Sequence, residues 1–265
     1  MSKLFFDGQT TELVYSCLIT YLNLVSDSPA IREMFLAEIP ILERLYQKFY
    51  HKELDIRICS ARMFALLSSD SKRPLVDSFL NEIFLEGLCN LLKIGGSKTS
   101  AMLAISCCAN SLCDGPEAFQ MVSSHAVTLE IFGFAADASF AGALDDRIAE
   151  FMQNILNRCP ANLVMSLLRI NIIETYLTFM KNSLKSTNRL IRLMSVLSDF
   201  IKMGDILDEE YGCNPVLNEL NTRSELLESL INAISERTAA PNTPELLNRE
   251  FKRFENSLAP LSQSY

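Results

Sequence analysis

Eight cysteines and two histidines are the residues of this 265-residue chain best suited to nucleophilic or metal chemistry, and their spacing decides what they can support. Cys17, Cys59, Cys89, Cys107, Cys108, Cys113, Cys159 and Cys213 include no Cys-x-x-Cys pair and fall mostly within apolar helical patterns. That pattern predicts reduced, buried thiols that pack as small hydrophobes, with no zinc site and no disulfide framework. His51 and His125 lie far apart, without the neighbours that a metal site or a nucleophile and base would need. Gly95-Gly96-Ser97-Lys98-Thr99 ends like a phosphate loop, but its first glycine is missing and no strand precedes it. It reads as a turn between helices. The expectation is a chain that is not an enzyme and carries no cofactor and no metal.

The surroundings of these residues are folded and acidic. Hydrophobic residues make up 49 % of the sequence with only 9 Gly and 9 Pro, a composition that can bury a core large enough to offset chain entropy. The 24 Lys and Arg against 32 Asp and Glu give a net charge of −8, which argues against binding to a phosphate backbone. No stretch approaches the roughly 18 apolar residues of a membrane span, and Met1-Ser2-Lys3-Leu4-Phe5-Phe6-Asp7 turns polar too soon for a secretory signal. A cytoplasmic location, with the nucleus as a further compartment, is expected, with neither nucleic acid nor membrane as partner.

Helical periodicity runs almost throughout, and it recurs. Ser28-Pro29, Arg73-Pro74, Gly115-Pro116 and Cys159-Pro160 are separated by 45, 42 and 44 residues, and each proline opens a short apolar helix. Proline is tolerated there because the amides of a first helical turn have no intrahelical partner. A second, strongly apolar helix begins near Ile39, Ile83, Val127 and Ile172, at steps of 44, 44 and 45. A third, longer helix follows near 54–68, 99–113, 143–158 and 188–203. One short and two longer helices in about 44 residues form the unit. Units are expected near 1–28, 29–73, 74–115, 116–159, 160–204 and 205–238, with 239–265 as a Pro-bounded amphipathic helix and short tail.

This unit resembles the armadillo repeat, with its short first helix, a second opening on an Ile-Pro step (Ile39-Pro40) and a long third helix of the form Ala-x-x-Asn-Leu. Ala109-Asn110-Ser111-Leu112 and Met152-Gln153-Asn154-Ile155-Leu156 carry that third-helix likeness. The two-helix HEAT repeat has a similar period and remains the near alternative. The fold class expected is all-α, a right-handed α-solenoid of about five armadillo-like repeats with an atypical C-terminal helical cap. Aligning the third helices places Asn23, Leu66, Asn110, Asn154 and Ser198 in one register. Asn is an unfavourable choice in mid-helix, so its repetition calls for a reason. The resemblance implies that these positions line a concave groove in which Asn23, Asn110 and Asn154 hydrogen-bond an extended ligand; bridging between neighbouring helices is the structural alternative.

Four residues later the same register gives Asp27, Asp70, Asp114, Arg158 and Lys202. An acid near a helix C-terminus opposes the helix dipole, so the three Asp are either caps for the short helix at the nearby proline or one end of a charge-graded groove. In the second case the groove is acidic early and basic late, and a bound peptide would turn its basic part toward the chain's N-terminal half. Four residues before the register come Ile19, Arg62, Ser106, Glu150 and Met194, where karyopherin-type repeats place Trp; this chain has no Trp. Nuclear transport in that manner is therefore the lesser alternative.

After Asp205 the period breaks. A helical pattern near 222–237 and the linker Ala239 to Pro244 lead to a final helix with Leu247, Phe251, Phe254 and Leu258 on one face. It would close the open end of the stack or dock in a groove, its own or a partner's. The functional expectation is an adaptor or scaffold binding an extended or helical segment of another protein, with a basic segment among the candidates. A regulator or co-chaperone that clamps a folded domain of an enzyme or chaperone is the alternative. Phe5, Phe6 and the first third-helix would cap the N-terminal end or meet a second copy, so monomer and homodimer both stay open.

Overall fold

The computed structural model describes residues 10–69, 74–94, 97–137, 144–241 and 243–262, with only the backbone of Ile94, Glu209 and Ser262. Asp70, Phe5, Phe6 and the Gly95-Gly96 pair of the expected turn lie outside these residues. The described chain is helical, in two compact units, Met1–Ile131 and Phe132–Tyr265.

In the first unit α1 (Thr11–Asp27) is the first of the long third helices. Next come α2 (Pro29–Leu36), α3 (Ile39–Tyr46) and α4 (Leu54–Leu67), then a 3-10 turn at Leu75–Asp77, α5 (Glu82–Ile94) and α6 (Lys98–Ser111). α7 (Pro116–Ser124) opens the following repeat, and the division between the units falls within α8 (Ala126–Ala136). Helix starts follow local chemistry: Thr10 and Ser28 accept from the amides of Leu13 and Ile31, and Pro29 and Pro116 sit in first turns where an amide would be unpaired. α1 packs on α4 and α4 on α6, so third helices lie side by side. The core beneath is aromatic. Phe64 lies 4.9 Å from Phe79 and 5.0 Å from Phe84, and Phe49 completes the cluster at 5.5 Å from Phe64. Gly87 of α5 makes room for it, since a Cβ there would stand 2.6 Å from the Phe49 ring.

The second unit continues with α9 (Asp145–Asn157), a short first helix in two pieces (3-10 Ala161–Leu163, then α10, Val164–Arg169), α11 (Ile172–Asn182) and α12 (Thr187–Ile206). α13 (Asp208–Tyr211), α14 (Pro215–Thr222), α15 (Ser224–Thr238) and α16 (Glu245–Ser262) follow. α12 packs on α9, α16 on α12, and α15 on α11. Residues 215–262 are thus a further three-helix unit, short then two longer helices, with α16 in the third-helix position. Leu247, Phe251, Phe254 and Leu258 are its buried face. The stretch from Asp205 is the insertion that hides this unit from a 44-residue count: Pro215 follows Pro160 by 55 residues.

Asn214 makes the restart possible. Its side-chain oxygen accepts from the amides of Val216 (2.9 Å) and Leu217 (3.0 Å), capping α14, while its amide nitrogen donates to the Ile201 carbonyl at 2.9 Å. Gly204 allows the approach, because a Cβ there would collide with the Asn214 side chain at 2.1 Å. Among the described residues no single helix is long and apolar enough to cross a membrane. The bent pair 161–169 and 172–182 has suitable length and composition, but Leu167, Ile172, Ile173, Tyr176 and Leu177 are core residues of this unit.

Candidate partner-binding face

The chemistry-bearing side chains are mostly sequestered. Cys107 and Cys108 are fully buried, and burial pushes both thiols well up; Cys159 is pushed up to about 12. Almost no thiolate is available from such groups at neutral pH. Cys113 and Cys213 are exposed, a correction to the expectation of general burial: each sits just past the apolar stripe, at the end of α6 and ahead of α14. Among the described residues no three His, Cys, Asp or Glu side chains converge as metal ligands would.

The third-helix register divides by role in the first unit. Asn110 is half-buried, and its amide nitrogen donates to the Ala65 carbonyl (3.2 Å) and the Ser68 hydroxyl (3.0 Å) of α4's last turns. Its donor group is used to tie one third helix to the preceding one. Ser106 is half-buried and donates back to the Met102 carbonyl at 2.9 Å. Leu66 is half-buried, while Asn23, Asp27 and Arg62 are exposed. Ser28 accepts from Ile31 in capping α2, so Asp27 is not needed there. Asp114 is a cap, though of a different helix from the nearby one. Its carboxylate accepts from the Leu75 amide at 2.6 Å, at the start of the 3-10 turn opening its own 74–115 repeat. Burial raises its pKa, opposed by that hydrogen bond, with Asp77 adding to the rise.

In the second unit the same face is an open, polar surface. Along α9, Arg147, Glu150, Asn154 and Arg158 lie one turn apart, half-buried or exposed. On α12 two of the three expected positions fail: Met194 and Ser198 are fully buried, whereas Lys202 is exposed. The surface row there is Asn188, Arg192, Ser195, Asp199 and Lys202. At Ser195 and Asp199 it runs one residue later than Met194 and Ser198, and one residue on a helix turns a side chain by about 100°. The shift was already visible in the sequence, since the second helices at Val127 and Ile172 are separated by 45 residues and not 44. Counting by that step from Glu150 and Asn154 gives Ser195 and Asp199.

Two clefts open on this face. One, of about 730 Å³ between α9 and α12, is lined by Arg147, Glu150, Asn154 and Arg192 among others. Arg189 closes its end, bonding Asp145 at 2.7 Å and Asp146 at 3.1 Å. The other, of about 510 Å³ between α12 and α16, is lined by Lys202, Arg249, Lys252 and Arg253. Arg253 reaches across to Ser195 (3.2 Å) and Asp199 (2.6 Å). Nothing in the sequence register pointed to α16, because its helix lies beyond the insertion.

No family model and no curated protein matches the sequence. Solved structures do. A designed armadillo repeat protein in complex with the peptide (KR)4 is similar over 95 % of each chain, with a TM-score of 0.72 and 12 % identity. A second designed armadillo repeat protein gives 0.67 at 12 % identity over 95 % of this chain and 96 % of its own. An engineered protein solved by a structural genomics consortium gives 0.66 at 10 % identity over 96 % and 93 %. At such low identity the likeness establishes the fold: the chain is an all-α solenoid of armadillo-type repeats.

Proposed function

We propose that this protein is a non-enzymatic scaffold that holds an extended or helical segment of a partner protein on its third-helix face, chiefly on α9, α12 and α16. The observation that carries the reading is the pair of open clefts along the third helices of the second unit, lined by Arg, Lys, Asn and Ser side chains. Stacked third helices present such groups at regular intervals, so a segment crossing them gains a small increment from each repeat. The (KR)4 complex of a designed protein of like fold supports peptide binding as a use of this architecture.

Panning a random-peptide library on the full chain tests the proposal. Peptides should be enriched, and their affinity should fall about tenfold in an Asn188→Ala, Arg192→Ala double variant that melts at the wild-type temperature. Enrichment that yields no peptide, or peptides indifferent to the double variant, would contradict it.

A further inference from the structure

We infer that the cleft between α12 and α16 receives an acidic segment of a partner protein, a short run of Asp and Glu side chains. The inference rests on the third-helix face being the binding face and adds the chemistry of the occupant. In a chain of net charge −8, four cations, Lys202, Arg249, Lys252 and Arg253, line one cleft with a single carboxylate, Asp205. Asp205 already accepts from the Asn214 amide at 2.7 Å. Asp199 and Glu250 border the cleft without lining it, and both are engaged: Asp199 by Arg253 (2.6 Å) and Lys202 (3.3 Å), Glu250 by Arg249 and Arg253 at 3.5 Å. These pairs hold Arg253 across the groove. Lys252 has no ion pair among the described residues. A concave site in which one sign of charge predominates focuses the field and concentrates the opposite charge.

Size and charge select a peptide over other anions. From Arg249 to Pro260 the α16 side of the cleft spans about 16 Å at helical rise, the length of about five extended residues. Asn256 and Ser257 add side chains able to hydrogen-bond a peptide backbone between the charges. A nucleic acid would need a long basic track on a chain whose overall charge repels it. Arg253, with both terminal nitrogens committed to Ser195, Asp199 and Glu250, does not offer that pair to fork a phosphate.

Fluorescence anisotropy of the full chain with labelled peptides of about eight residues decides the matter. An alternating Asp-Glu peptide should bind, an alternating Lys-Arg peptide should bind at least about tenfold more weakly, and the acidic complex should weaken several-fold as salt rises from about 50 to 200 mM. Lys252→Ala, and more strongly Lys202→Glu with Lys252→Glu, should reduce acidic-peptide affinity by about tenfold with unchanged melting, while Lys98→Glu on α6 should not. Preference for the basic peptide, indifference to the Lys252 variants, or displacement by a short DNA duplex would overturn the inference. If library-selected peptides still bind the face while the acidic peptide does not, the acidic assignment falls and the scaffold reading stands. If neither binds, both fall.

Discussion

At the scale of single residues, Asn110 shows why a repeated side chain does not by itself mark a ligand site. Asn110 stands in the expected groove register, yet its amide nitrogen is spent on α4. Asn110→Ala should therefore cost about 1 kcal/mol of stability by removing an amide donor that bridges two helices, and leave peptide affinity unchanged. Chemical unfolding and a peptide titration on the same variant check this; an unaltered midpoint with lost affinity would return Asn110 to the binding face. The sequence made the recurrence of Asn legible and left its use open, because the use depends on whether a backbone carbonyl of the previous repeat lies within reach. Asp114 teaches the same lesson. Capping was foreseeable from an acid beside Gly115-Pro116, but the helix capped begins at Leu75, 39 residues earlier.

At the scale of helices, the prolines and apolar stripes placed nearly every element of the first five repeats. Pro29, Pro116 and Ile172 start helices as their spacing predicts, and the third helices fall within a few residues of their expected ranges. Two errors have one cause, a period that is not constant. The extra residue between Val127 and Ile172 turned Met194 and Ser198 into the core, and the insertion before Pro215 concealed α14 and the role of α16. The signal for the second lay in Asn214-Pro215, a capping residue followed by a first-turn proline. Asn214→Ala should destabilise the second unit by about 1–2 kcal/mol, since it removes the α14 cap and the tie to Ile201. Hydrogen exchange should show α14 opening first, with α9 unaffected; uniform loss of protection across the unit would argue that Asn214 is no more than a local turn residue.

At the scale of the molecule, the acidic balance of the sequence conceals an uneven surface. A net charge of −8 argued against a phosphate backbone as partner and a basic segment stood among the candidates, yet the cleft between α12 and α16 gathers Lys202, Arg249, Lys252 and Arg253. The late basic positions Arg158 and Lys202 were visible in the register; their neighbours on α16 were not, because they come from a helix about 50 residues further along the chain. The fold was legible because periodicity is a property of the chain itself, whereas the site depends on which side chains the stacking leaves outside. The most direct test of the binding face is photo-crosslinking of a library-selected peptide carrying a benzophenone to the full chain, followed by mapping of the modified residues. Adducts on the α9, α12 and α16 rows, around Arg192, Ser195, Lys202 and Lys252, are predicted; adducts confined to α11 and α15, on the second-helix side, would contradict the account.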